Sequence, residues 1–549
     1  MANAAVLVRL RRTQARSLPL SVVAPVCAVL LAVALPLFLR LHVPIDFYDE
    51  GVILQGAERI ARGGLPYRDF QTVYAPGQFY VVAAAFRVFG TTTLTERLVD
   101  WAERIALALA LYACCRCFAS RRFAAVAAGI IAAGMTYYGN FGYPAFPALA
   151  AAFWCGALLC HGGGCRSSQY SAAAGICAGL TALIRLDFGV YLLLAAGVTL
   201  LASVFARRQE GRRIFAPVVA FGAAAATTAG TPFVLLLRAV PIHLVWQELV
   251  VFPVTTLHAE RALPYPTPLS DLRALLAGHL LPTLHAQLLH LLFYGSLAVL
   301  AGEAWSLVRD RASADDISQR MRLFCMVFGL ALVAQALSRF DEAHLLPMAL
   351  CAAVLLAGWL ERHRPWRRGT RLRAPILLGL TWTVMLWLVL TLAGISFAVR
   401  DAPPWRCLST ITRASCAWLL PEQQEALLYI QRTTPPAAPI FVTNQRNDLG
   451  ANSDATFSFL AARPFAGSYS HFEPGISTTA PVQRAEIAAI EAAHVQTIVR
   501  VNVTQKPEPN GSFRSSGITL LDDYIAARYR PVYANDVYTV LRRDDALFR

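Results

Sequence analysis

Residues 46–90 read DFYDEGVILQGAERIARGGLPYRDFQTVYAPGQFYVVAAAFRVFG, and this stretch decides the fold. It holds three aspartates and two glutamates, while no acid precedes it in the chain. It follows the first long apolar run, so it emerges at a membrane face. Gly51–Arg62 places Val52, Ile53, Ala57, Ile60 and Ala61 at helical spacing, and Gly77–Phe89 does the same with Phe79, Val82, Phe86 and Phe89. The turn formers GGLP at Gly63–Pro66 and APG at Ala75–Gly77 separate the two. Both patterns suit helices lying in the interface plane rather than spanning it, with Arg87 placed to snorkel. An acidic, partly helical loop held at a membrane surface reads as a reaction site, and the rest of the chain as its scaffold.

Working outward, the composition agrees. Of 549 residues, 56% are hydrophobic and 15% charged, against about 25% charged in soluble domains. The formal charge of +15 would suit a nucleic-acid partner if it were concentrated. Instead the arginines fall in short clusters between apolar runs, as membrane topology requires, so nucleic acid is excluded. Lys506 is the only lysine, so the choice of arginine at any one position carries little information.

A membrane-spanning helix takes about 20 apolar residues. The candidates are Pro19–Leu41, Arg97–Phe118, Phe123–Tyr138, Pro144–Cys160, Ser171–Ile184, Gly189–Ala206, Ile214–Leu237, Leu284–Val308, Leu323–Ser338, Ala343–Leu360 and Ala374–Ala398, about eleven in all. The first apolar run is longer than a signal-peptide core and lacks a small-residue cleavage pattern, so it reads as a retained helix. With the N-terminus cytoplasmic, every strongly basic loop falls inside: Arg116/Arg121/Arg122, Arg166, Arg207–Arg213, Arg309–Arg322 and Arg362–Arg373. The first loop (42–96) and everything beyond Ala398 are then outside. The expected fold is an all-α polytopic membrane protein over 1–398, followed by an extracytoplasmic tail over 399–549. From about Pro421 that tail alternates helical and β-rich runs, a small soluble α/β domain. The proline-rich segment Arg238–Pro282 is too polar to span and reads as a lid or a re-entrant piece. The cysteines mostly lie within apolar runs and read as packing residues. Cys407 and Cys416 fall outside those runs, on the oxidising side, and are candidates for a disulfide.

Within the outer loop Asp46, Asp49 and Glu50 lie three and four residues apart, so a helical turn would set them on one face. Carboxylates there offer a general base or a divalent-metal site; the plainer reading is an acidic helix start. Asp69 sits in the turn-rich PYRDF, and Tyr67, Tyr74 and Tyr80 are placed to stack on sugars or to anchor at the interface. Asp100 and Arg104, four apart, read as a local ion pair. Two further segments carry charge at the outer ends of spans, where it is costly: Arg185-Leu186-Asp187, and Ser338-Arg339-Phe340-Asp341-Glu342-Ala343-His344. Arg339 and Arg185 are candidates for a lipid phosphate, with Asp187 and Asp341 as their acidic neighbours. The plainer reading is Arg–Asp bridges that stitch helix ends. His344 is a candidate proton carrier or, more simply, a hydrogen-bonded helix start.

A basic N-terminus, one span, then an outer loop with Asp-Glu resembles the GT-C superfamily of glycosyltransferases. PYRDF…APGQFY and SRFDEAHLLP are similar to motifs of its bacterial branch related to protein O-mannosyltransferases and lipid A aminoarabinose transferases. Ala75 stands where that branch usually has proline. The resemblance implies transfer of a sugar from a polyprenyl-phosphate donor to a glycan, lipid or protein acceptor, at the outer face of a bacterial cytoplasmic membrane. It implies Asp49 as catalytic base or orienter of the acceptor hydroxyl, with Glu50 and Asp69 as further acids, and Arg339, Arg185 and His344 near the donor phosphate. It makes no cofactor certain and leaves a divalent metal open. A single displacement would invert the anomeric carbon, by analogy with glycosidases. The rival readings are a transporter or flippase for a lipid-linked sugar, and a non-catalytic envelope-assembly scaffold. A transporter would want ionisable residues deep in the spans and repeated halves, and the sequence has neither.

Overall fold

The computed structural model describes residues 20–135, 141–162, 167–206, 215–263, 280–309, 316–363, 409–450, 453–502 and 508–544. Its first half is helical: α1 (Leu20–Leu39), α2 (Asp49–Ala61), α3 (Gly77–Phe89), α4 (Thr93–Cys115), α5 (Arg121–Met135), α6 (Ala145–His161), α7 (Ser167–Ile184), α8 (Leu186–Ala206) and α9 (Ala216–Leu237). Next come α10 (Ile242–Trp246), a π-helical stretch Gln247–Leu257, and α11 (His258–Arg261). The helices α12 (Leu280–His290) and α13 (Ser296–Arg309) are joined by a π turn, and α14 (Ile317–Ser338) and α15 (Glu342–His363) follow.

Among the described residues five helices are long and apolar enough to cross a membrane: Leu186–Ala206, Ala216–Leu237, Thr283–Arg309, Ile317–Ser338 and Glu342–His363. The chain is therefore a multi-pass membrane protein. The expected last span, Ala374–Ala398, lies outside the described residues, as does Cys407; Cys416 is disulfide-bonded. The weakest apolar run of the sequence, at α7, is held by small residues. A Cβ added at Gly175 would meet the Phe221 carbonyl oxygen at 2.3 Å, and one at Gly179 would meet Thr228 at 2.6 Å. Backbones that close stabilise helix pairs by van der Waals packing where lipid removes the hydrophobic drive.

The described residues from 409 onward combine helices with a sheet. Helices α16 (Pro421–Thr433), α17 (Phe457–Ala461), α18 (Ala480–Ala492) and α19 (Leu520–Arg528) accompany a four-stranded sheet of order β1-β2-β4-β3. β1 (Ile440–Asn444) runs parallel to β2 (Thr497–Val501); β4 (Tyr538–Arg543) is antiparallel to β2 and to β3 (Tyr529–Ala534). Strand side chains alternate between faces. Phe441, Ile498 and Leu541 accordingly pack under α18 and α19, and Ile440, Val442, Val499, Val501 and Val540 on the opposite face.

That second face explains a departure from expectation. Its core also contains Val52, Ile53, Leu54, Ala57 and Ile60 of α2 and Phe79, Val82 and Phe86 of α3. Helix α2 does not lie against lipid: the tail covers it, and Glu50 through Glu58 are all buried. Polar contacts finish the seam. Gln55 Nε2 donates to Ser458 Oγ at 2.8 Å, Arg413 pairs with Glu58 at 2.7 Å, and Arg59 donates to the Asp69 and Phe465 carbonyls at 2.7 and 3.1 Å. Of these two helices α3 is the one that exposes large apolar side chains, Tyr80, Val81, Val88 and Phe89, as an interfacial helix does.

Candidate active site

Above the helix bundle and beneath the tail lies a cavity of about 1280 Å³. Its lining draws on six separate parts of the chain, one of them the α5–α6 connection with Tyr143. The first loop gives Asp46, Tyr48, Asp49 and Tyr74; the α7–α8 junction gives Arg185 and Asp187. The π-helical stretch and α11 give Leu249, Pro253, Val254, Leu257 and Arg261; the α14–α15 junction gives Arg339, Asp341 and His344; the tail gives Glu473 and Glu508.

How Asp49 comes to face the cavity follows from the start of α2. Asp46 precedes the helix and caps it: its Oδ1 accepts from the Tyr48 and Asp49 backbone N–H groups at 2.9 and 2.6 Å. Two of the helix's unpaired donors are thereby satisfied. Burial first, and then the charge of Asp49, push the Asp46 carboxyl up to about 7, against the pull of the Asp49 N–H. Glu50 turns the other way, as the next residue on a helix must. Its Oε2 accepts from the Asp46 N–H at 3.2 Å, and the Arg97 guanidinium grips it from Nε at 2.7 Å and Nη2 at 3.0 Å. Arg97 also donates to the Leu41 and Val43 carbonyls at 2.6 and 2.9 Å and lies over the Phe141 ring at 4.6 Å. The three acids thus do not share one face: Asp46 is a cap, Glu50 a buried tie to α4, and Asp49 the one of the helix start turned to the chamber with it.

Asp69 does not reach the cavity. It accepts from the Leu65 N–H at 2.7 Å and pairs with Arg68 at 2.8 Å, which holds the turn through which Tyr67 passes with φ of +68°. Of the three tyrosines, Tyr74 lines the cavity; Tyr67 instead donates its hydroxyl to the Tyr74 carbonyl at 2.8 Å. The expected Asp100–Arg104 pair is present at 2.7 Å, fully buried in α4.

The two charged junctions meet across the chamber. Arg185 forks onto Asp187 at 2.6 and 2.9 Å, reaches the Tyr143 hydroxyl at 3.3 Å, and rests on the Phe188 ring. Arg339 Nε donates to Asp341 Oδ2 at 2.6 Å, and the other Asp341 oxygen takes the His344 ring at 2.6 Å and the His344 N–H at 3.0 Å. Burial alone would raise Asp341, but the His344 and Arg339 partners outweigh it and hold it down at about 2. An acid so depressed is a poor base near neutrality. Because its folded value lies below the ordinary 3.8, the stability it contributes is complete above that value and is lost as pH falls through about 2. Titrating thermal stability from about pH 5 to about pH 2 should show a decline that Asp341→Asn flattens. An unchanged slope in the variant would contradict this.

Three lining residues were not singled out by the sequence reading. Arg261 pairs with Glu473 at 3.0 Å, donates to the Tyr48 hydroxyl at 3.1 Å, and lies over the Tyr48 ring at 5.1 Å. Glu508 takes Arg339 at 2.6 and 3.0 Å. Next to them His471 is pushed down to about 3, by burial and then by Arg261, so it packs edge-on against Tyr48 as a neutral ring. The available signals were faint: Glu473 and Glu508 each sit beside proline in turn sequences, FEPG and PEPNG. Among the described residues no group of three or more His, Cys, Asp or Glu side chains could hold a metal ion.

No family model and no curated protein matches the sequence. Its structure does have counterparts. ArnT from Cupriavidus metallidurans, solved in the apo state, superposes with a TM-score of 0.57 at 15% identity, over 96% of this chain and 98% of that one. The same protein bound to undecaprenyl phosphate gives 0.56 at 14% identity over the same shares. The Archaeoglobus fulgidus oligosaccharyltransferase in the apo form gives 0.51 at 15% identity, over 87% of this chain and 69% of that one.

Proposed function

We propose that this chain, which has the fold of GT-C glycosyltransferases, moves a sugar from a polyprenyl-phosphate donor onto an acceptor hydroxyl. The observation that supports this most is the chamber itself: Asp49, beside the capping Asp46, shares one cavity of about 1280 Å³ with a set of arginines, Arg185, Arg261 and Arg339, and with an apolar wall that includes Leu249, Pro253, Val254 and Leu257. Sugar transfer needs that division of labour. As the anomeric carbon leaves its phosphate oxygen, the electron pair goes to the phosphate and positive charge nearby lowers the barrier. As the acceptor oxygen bonds to the same carbon, its proton passes to a base on the opposite side. Asp49 is that base in this reading, Glu50 fixes the helix that presents it, and Asp69 stabilises the adjoining turn. Arg339 and Arg185 hold the donor phosphate; Asp341, Asp187 and His344 orient them. One displacement with one base inverts the anomeric centre.

The apolar wall suits the prenyl chain, which stays in lipid while the sugar reaches water. On the arginine pattern the chamber opens on the extracytoplasmic face of a bacterial cytoplasmic membrane, where a glycan, a lipid or a protein can present the acceptor. The test is a mass-spectrometric comparison of envelope glycans between wild-type and deletion strains. A sugar missing from the deletion strain, restored by the wild-type gene, is expected. An unchanged glycan profile under expression of the gene would refute transfer.

A further inference from the structure

In the structure Arg339, assigned above to the donor phosphate, is already occupied. Four of its five donors are engaged: Nε by Asp341, one Nη by the Arg261 carbonyl and Glu508, the other Nη by Glu508. The two acids hold it differently. Asp341 stands two residues beyond the arginine in the chain and is clamped from behind by His344. Glu508 comes from the tail, is one-third exposed, and has Asn510 Nδ2 as its other partner at 2.8 Å. It presents two oxygens to the guanidinium fork at 2.6 and 3.0 Å. That is the same bidentate geometry in which arginine takes two phosphate oxygens.

We infer that Glu508 is a resident anion in the phosphate subsite: it occupies Arg339 when the chamber holds no donor, yields to the lipid phosphate, and returns when the product leaves. The inference rests on the phosphate role given to Arg339. Exchange of a carboxylate for a phosphodiester keeps one negative charge on the Nη side of the fork while Asp341 stays on Nε, so the charge around the arginine is unchanged by the exchange. The spent donor is different. A phosphate monoester carries about −1.5 to −2 charges near neutrality, so it would cling to the arginines more tightly than the diester did. A tethered carboxylate that competes for the same donors shortens that stay. Its cost is weaker binding overall, because each incoming phosphate must displace it. Glu508 is thus a residue that sets affinity and turnover without touching the reacting carbon.

The experiment uses the full-length protein in detergent and measures binding of undecaprenyl phosphate, with inorganic phosphate titrated in parallel. Glu508→Gln keeps the shape and removes the charge. It should bind undecaprenyl phosphate about tenfold tighter than wild type, and inorganic phosphate should tighten in the same direction, since Glu508 contests only the headgroup. Glu508→Asp, with its carboxylate drawn back by one methylene, should fall between them, and decides the matter if the glutamine variant does not fold. Arg339→Gln should lose affinity in every arm. Unchanged or weaker binding by both Glu508 variants, while Arg339→Gln still loses affinity, overturns the resident anion and leaves the phosphate subsite standing. Tightening confined to the lipid overturns it too, by moving Glu508 off the phosphate. Binding that ignores Arg339 altogether overturns both.

Discussion

Asp49→Asn should lower sugar transfer by about 10²- to 10⁴-fold, the range that loss of a general base produces. The substitution keeps the size of the side chain and leaves the Asp46 cap and the Glu50–Arg97 tie in place, since neither uses the Asp49 carboxylate: Asp46 receives the Asp49 backbone N–H, and Glu50 receives Arg97. Purified membranes given a polyprenyl-phosphate sugar and an acceptor provide the assay. Transfer near the wild-type rate would remove Asp49 from the role of base. The contrast with Glu50 is informative. Glu50→Gln should also depress activity, but together with stability, because that carboxylate is 1% exposed and serves the scaffold.

The largest stability effect is expected at Arg97→Met. Arg97 and Glu50 are both essentially without exposure, and the guanidinium also satisfies the carbonyls of Leu41 and Val43. Methionine fills much of the space but leaves a buried carboxylate with no cation and two carbonyls with no donor. Breaking a buried pair from one side costs about 3–5 kcal/mol. Replacing both partners, Arg97→Met with Glu50→Leu, should recover much of that, because the penalty belongs to the orphaned charge rather than to the loss of the pair. Thermal unfolding in detergent, followed by tryptophan fluorescence, separates the outcomes. A single variant as stable as wild type would show that water reaches Glu50.

The sequence carried the parts of the molecule governed by local pattern. Helix α3 runs over the residues its apolar spacing indicated, and α2 begins two residues before the expected Gly51. That small shift matters: it places Asp46 ahead of the first turn as a cap, and so breaks the expected shared face of Asp46, Asp49 and Glu50. The charged junctions were legible because arginine and aspartate at span ends are conspicuous against apolar sequence. What was not legible is pairing over distance. Arg97 lies 47 positions from Glu50, Arg339 lies 169 from Glu508, and Arg261 lies 212 from Glu473. Periodicity reports which face a residue occupies and is silent about what arrives there. The interfacial placement of α2 failed for the same reason, since an amphipathic stripe does not say whether lipid or a β-sheet will cover it.

The shared core between the first loop and the tail sheet bears on how the chain can vary. Ile53 and Leu54 of one pack with Val442 and Val499 of the other, and Gly51 approaches Thr456 so closely that an added Cβ would stand 2.9 Å away. The loop that offers the acid and the tail that offers Glu473 and Glu508 therefore form one inherited unit, although nearly the whole membrane bundle separates them in sequence. A chimaera that takes its bundle from one relative and its tail from another would mismatch this seam and tilt Asp49 away from the arginines. One that exchanges residues 42–96 together with the tail keeps the seam intact.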